Sequence, residues 1–139
     1  MKYLKIHTLD RGKWYDKDEV LLHATFQLLV DFVEQEKPDK VCDWQYDEPH
    51  RNAWSEILQL YKWWKEERPN RHDPLDDVVK PPDEEYATSD EGYMIFPDRE
   101  KYPDYYVALD ESFELEKEWH EEDQRNLHRL IEIRPFLWT

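Results

Sequence analysis

The apolar positions of this chain are densest between Asp16 and Glu36, in the stretch DKDEVLLHATFQLLVDFVEQE. At about 100° per residue, Leu21, Leu22, Thr25, Phe26, Leu28, Leu29, Phe32 and Val33 cover well over half of a helix's circumference. His23, Gln27, Asp31 and Glu34 are left as one narrow polar strip. The spacing predicts a helix from about Lys17 to Lys37 that other elements surround. Asp16 or Asp18 can accept the free N–H groups of its first turn, and Lys37 followed by Pro38 stops it.

Two further helical periods follow. Asp47-Glu48-Pro49 supplies a cap, a first-turn acid and a proline where its missing N–H does no harm, which predicts a helix over about 48–68 ended by Pro69. Ala53, Trp54, Ile57, Leu58, Tyr61 and Trp64 share one face of it, with His50 one turn before Trp54. Trp63 points the opposite way, either beneath a covering loop or exposed as an aromatic anchor for a partner. The third helix is predicted over about 110–134, with Leu115, Trp119, Leu127, Leu130 and Ile131 as its buried stripe.

The remaining segments are less regular. Residues 2–9 alternate in the manner of a strand, Asp10 to Lys13 reads as a turn, and Lys40 to Tyr46 alternates weakly. Residues 70–109 carry five prolines, yet Val78-Val79, Tyr93 to Phe96 and Tyr105 to Leu109 are too apolar for disorder. An ordered Pro- and aromatic-rich loop is expected there. Together these elements predict one α+β domain over 1–139, predominantly helical: three packed helices, a small N-terminal strand or hairpin, and the long loop.

Composition sharpens this picture. The chain has 139 residues, with seven Trp, nine Tyr and five Phe, so it can bury a real core despite 38% charged residues. The single Cys42 excludes an internal disulfide, and no run is long enough to span a membrane. A soluble protein of a cytoplasmic-type compartment is expected. The net charge of −15 sits in one place: Asp83 to Asp123 hold 16 acidic and 3 basic residues, against 18 and 16 elsewhere. Phosphate binding needs Lys and Arg, so this face argues against direct nucleic-acid or anionic-membrane binding and in favour of a partner with a basic surface, a cation, or simple solubility.

Two constellations on the third helix bear on chemistry. Glu111, Glu114, Glu118 and Glu121 recur at three and four, flanked by Asp110 and Glu122, with successive carboxylates about 5–6 Å apart. The phosphates of one DNA strand lie on a similar scale, about 3.4 Å of axis apart. The row therefore suits a protein that expects nucleic acid, although an acidic solvated face also keeps an aromatic-rich chain soluble. Glu116, His120 and Asp123 share another sector, where they can offer three ligands to a divalent metal with His23 or His50 completing the shell. The alternative is a polar network in which a neighbouring Arg, Trp or Tyr holds Asp123. The paired Glu-x-x-His, His-Glu-x-x-His and nucleophile-elbow patterns are absent, as is any glycine-rich phosphate loop, so no cofactor and no catalytic residue are expected.

The segments Trp14…Leu22-His23-Ala24-Thr25-Phe26-Gln27-Leu28-Leu29-Val30-Asp31-Phe32-Val33-Glu34 and Leu127-His128-Arg129-Leu130-Ile131-Glu132-Ile133-Arg134…Leu137-Trp138-Thr139 resemble small acidic accessory proteins encoded by tailed bacteriophages. The likeness includes the Trp63-Trp64 helix and is weakest over 70–109. It implies an accessory protein in the cytoplasm of an infected bacterium, acting on host machinery or on the phage particle. The expectation is a non-enzymatic nucleic-acid mimic that binds a basic host or defence protein through Asp110, Glu111, Glu114, Glu118, Glu121, Glu122 and Trp63. The alternatives are a metal-dependent enzyme using Glu116, His120 and Asp123, and a structural or assembly component of the phage.

Overall fold

A computed structural model describes residues 3–138. The order of elements is α1 (Lys17–Asp31), α2 (Pro38–Val41), α3 (Glu48–Lys62), β1 (Ala87–Thr88), β2 (Met94–Ile95) and α4 (Pro103–Glu132). Short 3-10 turns punctuate the connections. The fold is predominantly helical α+β, with one two-stranded antiparallel sheet among the described residues. The chain divides into two compact units, residues 1–70 with 122–139, and Arg71–Glu121.

The first unit is built around α1 and α3. Each helix runs on into a π-helical turn, Phe32–Glu36 after α1 and Trp63–Glu67 after α3. Trp63 and Trp64 are neighbours in sequence, yet both are buried. Phe26 stacks on Trp64 at 4.7 Å between centroids and meets Trp63 at 5.3 Å. Leu29, Ile57 and Leu60 complete the centre, and Leu130 and Ile133 close it. Trp44 stacks on Trp54 at 5.0 Å and donates its indole N–H to the Pro38 carbonyl.

Several positions differ from the sequence reading. Leu21, Leu28, Leu58 and Ile131 are exposed, whereas His23 and Gln27, at the middle of the polar strip, are only 8% and 3% exposed. The strip is covered by the N-terminal segment. Gln27 Oε1 accepts the His7 backbone N–H at 3.1 Å, and Thr8 Oγ1 lies 2.6 Å from His23 Nδ1. Gln27 in turn donates to Asp31 Oδ1 at 2.9 Å. Residues 3–9 therefore form a strap held by side chains of α1, and no N-terminal strand or hairpin occurs among the described residues; Met1 and Lys2, where that strand was to begin, lie outside them. Lys40 to Tyr46 is likewise no strand: its start completes α2, a turn begun by Pro38.

At the start of α1, Asp16 is the N-cap residue but its side chain makes no capping hydrogen bond, whereas the signals at the end of α1 and the start of α3 act as expected. Lys37 takes the left-handed conformation (φ 47°) that ends the α1 run, and Pro38 follows. Asp47 accepts the His50 backbone N–H at 2.8 Å, capping α3.

In the second unit, Asp73 caps the 3-10 turn Pro74–Asp77 through Leu75 N–H and accepts from Ser112 Oγ at 3.0 Å. The hairpin pairs Ala87 with Ile95 and Thr88 with Met94. Its loop is closed by Gly92 at positive φ (88°), where Ser89 Oγ accepts the Tyr93 N–H. Helix α4 begins at Pro103 rather than Asp110. Proline is favoured at the first helical position, so a proline expected within the loop is the start, and the Tyr105 to Leu109 stretch is helical rather than loop. Tyr106 is buried there, with its hydroxyl donating to the Pro97 carbonyl.

Candidate interaction face on the long helix

The residues of α4 from Asp110 to Glu121 belong to the second unit. Asp110, Glu111, Glu114, Glu118 and Glu121 are exposed. The first four, with half-buried Leu115 as floor, line a shallow open depression along the helix. Helical spacing alone produces this row, since residues three and four apart are surface neighbours. Asp110 lies 3.5 Å from an Arg99 nitrogen, itself exposed. Among the described residues, Glu111, Glu114, Glu118 and Glu121 make no ion pair or hydrogen bond with another side chain. Their mutual repulsion is therefore offset only by solvent. Each like-charge pair at this spacing costs a few tenths of a kcal/mol.

Two of the expected partner-binding residues are not freely exposed. Glu122, four residues beyond Glu118, is half-buried and accepts the Trp63 indole N–H at 2.8 Å. Trp63 is 6% exposed, so it is a core side chain and no surface anchor. Neighbouring residues diverge by about 100° on a helix, and here both directions are covered: Phe26 meets both indoles and Glu122 takes the Trp63 N–H.

The Glu116, His120 and Asp123 set does not gather around a common point. Glu116 and His120 are exposed, and Asp123 gives its two oxygens to Arg68 at 3.0 and 3.1 Å. Among the described residues no group of three His, Cys, Asp or Glu side chains is placed to hold a metal ion. The candidate completing ligands are occupied as well. His23 meets Thr8, and its pKa is lowered to about 4 by burial and then by the Arg68 charge, with Asp123 opposing. His50 Nδ1 lies 2.5 Å from Asp47 Oδ1.

Charge pairs elsewhere in the first unit are structural. Arg129 forms a two-pronged pair with Glu56, both contacts at 2.8 Å, and holds the Glu56 pKa below its usual value. Glu34 accepts the Tyr61 hydroxyl at 2.8 Å and lies 3.2 Å from Lys65, which together depress its pKa. These pairs contrast with the unpaired row on α4.

Sequence reasoning missed an aromatic pocket in the first unit, about 290 Å³ in volume, between the α2–α3 connection and the residues after α4. Its only sequence signal is the density of rings at Trp44, Tyr46, His50, Phe136 and Trp138, which are far apart along the chain.

No helix of the described residues is long and apolar enough to cross a membrane. Comparison with protein-family models, with curated proteins and with solved structures gives no significant match.

Proposed function

We propose that this chain is a non-enzymatic binding protein whose acidic α4 face occupies a basic, nucleic-acid-binding surface of another protein. The carrying observation is the unpaired state of Glu111, Glu114, Glu118 and Glu121. Arginine pairs hold Glu56 and Asp123, whereas the four neighbouring carboxylates of this row have no such pair and stand open to a cationic partner. Direct binding to nucleic acid is disfavoured by the same charge. The sequence resemblance implies the cytoplasm of a phage-infected bacterium as the setting, in which the target would be a host or defence protein.

The test is capture from bacterial lysate by the wild type and by the triple reversal Glu114→Lys, Glu118→Lys, Glu121→Lys. All three positions are exposed, so the fold is expected to survive. A basic nucleic-acid-binding protein should be retained at low salt, released at high salt and displaced by duplex DNA. Equal retention by the reversed protein, or a complex indifferent to competing DNA, would sink the reading.

A second reading, an assembly component, is favoured by one observation. Tyr93, Met94, Ile95 and Phe96 are consecutive and all exposed on and beside the short sheet. Contiguous exposed apolar residues mark contact sites. Self-association at micromolar concentration in sedimentation would support it, and a monomer throughout would remove it.

A further inference from the structure

The aromatic pocket of the first unit has a chemistry separate from the acidic helix, and the inference from it does not depend on that reading. Trp44 forms its buried wall, fixed by its stack on Trp54 and its hydrogen bond to Pro38. His50 stands in the middle of the ring cluster. Its ring lies 5.8 Å from Tyr46 at 89° and 5.2 Å from Phe136 at 83°, and 6.2 Å from Trp44 at 55°. Asp47 fixes the His50 ring through the contact at Nδ1. Steeply inclined rings enclose a space with walls rather than a single stacking plane. Tyr46 and Trp138 line its mouth and are themselves exposed.

One charged side chain lines this pocket, and it is a carboxylate, Asp43. Its Oδ1 accepts the Gln45 backbone N–H at 3.0 Å, which fixes the carboxylate in an Asx turn at the pocket lining. No lysine or arginine contributes to the lining. Aromatic faces present negative potential to a cation, and a carboxylate adds to it. The walls are otherwise poor in hydrogen-bond acceptors. A bare ammonium, with three donors to satisfy, would lose more hydration here than one carboxylate can replace. A methylated ammonium carries the same charge, donates no hydrogen bonds and sheds water readily.

We propose that this pocket binds an alkylated ammonium group, a quaternary or multiply methylated cation, with the rings as its cage and Asp43 as its counter-charge. The volume is near the lower end for small-molecule sites, which suits such a head group rather than a large cofactor. The charged group would be the same whether carried by a free small molecule or by a methylated lysine side chain. Choline and a trimethyl-lysine amide are the two probes that separate these sources.

The experiment uses the full chain with isotope-labelled indole nitrogens, followed by magnetic resonance during titration with choline. Saturable shifts of the Trp44 and Trp138 signals are expected. The neutral isostere 3,3-dimethyl-1-butanol, which has the same shape without the charge, should bind roughly tenfold more weakly. Asp43→Asn keeps the acceptor for Gln45 and should weaken choline binding several-fold while leaving the isostere unchanged. Trp138→Ala removes an exposed ring at no cost to the core and should weaken choline binding. Tighter binding of the trimethyl-lysine amide than of choline would assign the site to modified protein side chains; the reverse order would assign it to a free metabolite. No saturable shift with either cation, or equal affinity for choline and its neutral isostere, would overturn the proposal.

Discussion

Arg68 grips Asp123 with two hydrogen bonds, from Nε at 3.0 Å and from a terminal nitrogen at 3.1 Å, while its guanidinium lies 5.0 Å over the Trp64 ring. The π turn after α3 carries Trp64 and leads directly to Arg68, so this pair ties the end of that segment to α4. Both side chains are mostly withdrawn from solvent. Removing one partner of such a pair strands the other charge, which costs more than the pair contributes on balance. Asp123→Ala should therefore lower unfolding stability by about 2–3 kcal/mol. Chemical denaturation measures this. In the double variant with Arg68→Met, the two losses should be clearly less than additive; full additivity would mean that the residues do not act together.

The buried imidazole of His23 makes the fold acid-sensitive. Its folded pKa of about 4 lies below the ordinary 6.5, so the folded protein resists the protonation that the unfolded chain accepts. The stability linked to neutral His23 is fully present above 6.5 and is lost as pH falls from about 6.5 towards 4. Glu34 and Glu56, held below their usual values by Tyr61 and Arg129, lose their contribution in the same direction at lower pH. His72 has the opposite sign: Asp77, at 2.7 Å, raises its pKa, a small exposed effect that favours the fold at low pH. Urea midpoints between pH 7.5 and 5 should fall, and in His23→Gln this part of the profile should be flatter. An unchanged slope in the variant would show that His23 is not the titrating group.

Gln27 anchors the N-terminal strap by accepting from His7, and it is nearly inaccessible to solvent. Gln27→Leu keeps the volume and removes the acceptor. The expected result is fast amide exchange at His7 with α1 amides still protected, and a global loss of about 1 kcal/mol. Protection at His7 equal to wild type would show that the strap is held by other means.

The three long helices could be read in the sequence because their apolar residues repeat at the helical period and their ends carry recognised chemistry, such as Asp47 with Pro49 and Lys37 with Pro38. The errors have common causes. Pro103 reads as one of the five loop prolines, although proline is favoured at the first position of a helix. The alternation of residues 3–9 imitates a strand, but its backbone hydrogen bond at His7 goes to a glutamine side chain, a choice no local pattern reveals. Trp63 and Trp64 diverge by about 100° on a helix, and only the tertiary fold reveals that both directions are covered. The acidic row was legible because it depends on spacing within one helix. The aromatic pocket was not, because Trp44 and Phe136 meet only through the tertiary fold.

Lys37 is the one non-glycine residue at positive φ among the described residues, at φ 47° and ψ 59°. A side chain in this region crowds its own backbone, at a cost of roughly 1–2 kcal/mol. Lysine has no short polar group to offset that crowding locally, and the position is exposed, so its charge has no buried role. Glycine removes the crowding, but an unfolded chain with glycine has more freedom to lose, about 0.5–1 kcal/mol. The balance predicts that Lys37→Gly stabilises the protein by about 0.5–1 kcal/mol, read as a higher denaturant midpoint at unchanged slope. Lys37→Val, β-branched and unable to adopt the conformation cheaply, should move the midpoint the other way. If glycine and valine shift it alike, the left-handed turn before Pro38 is not where the strain resides.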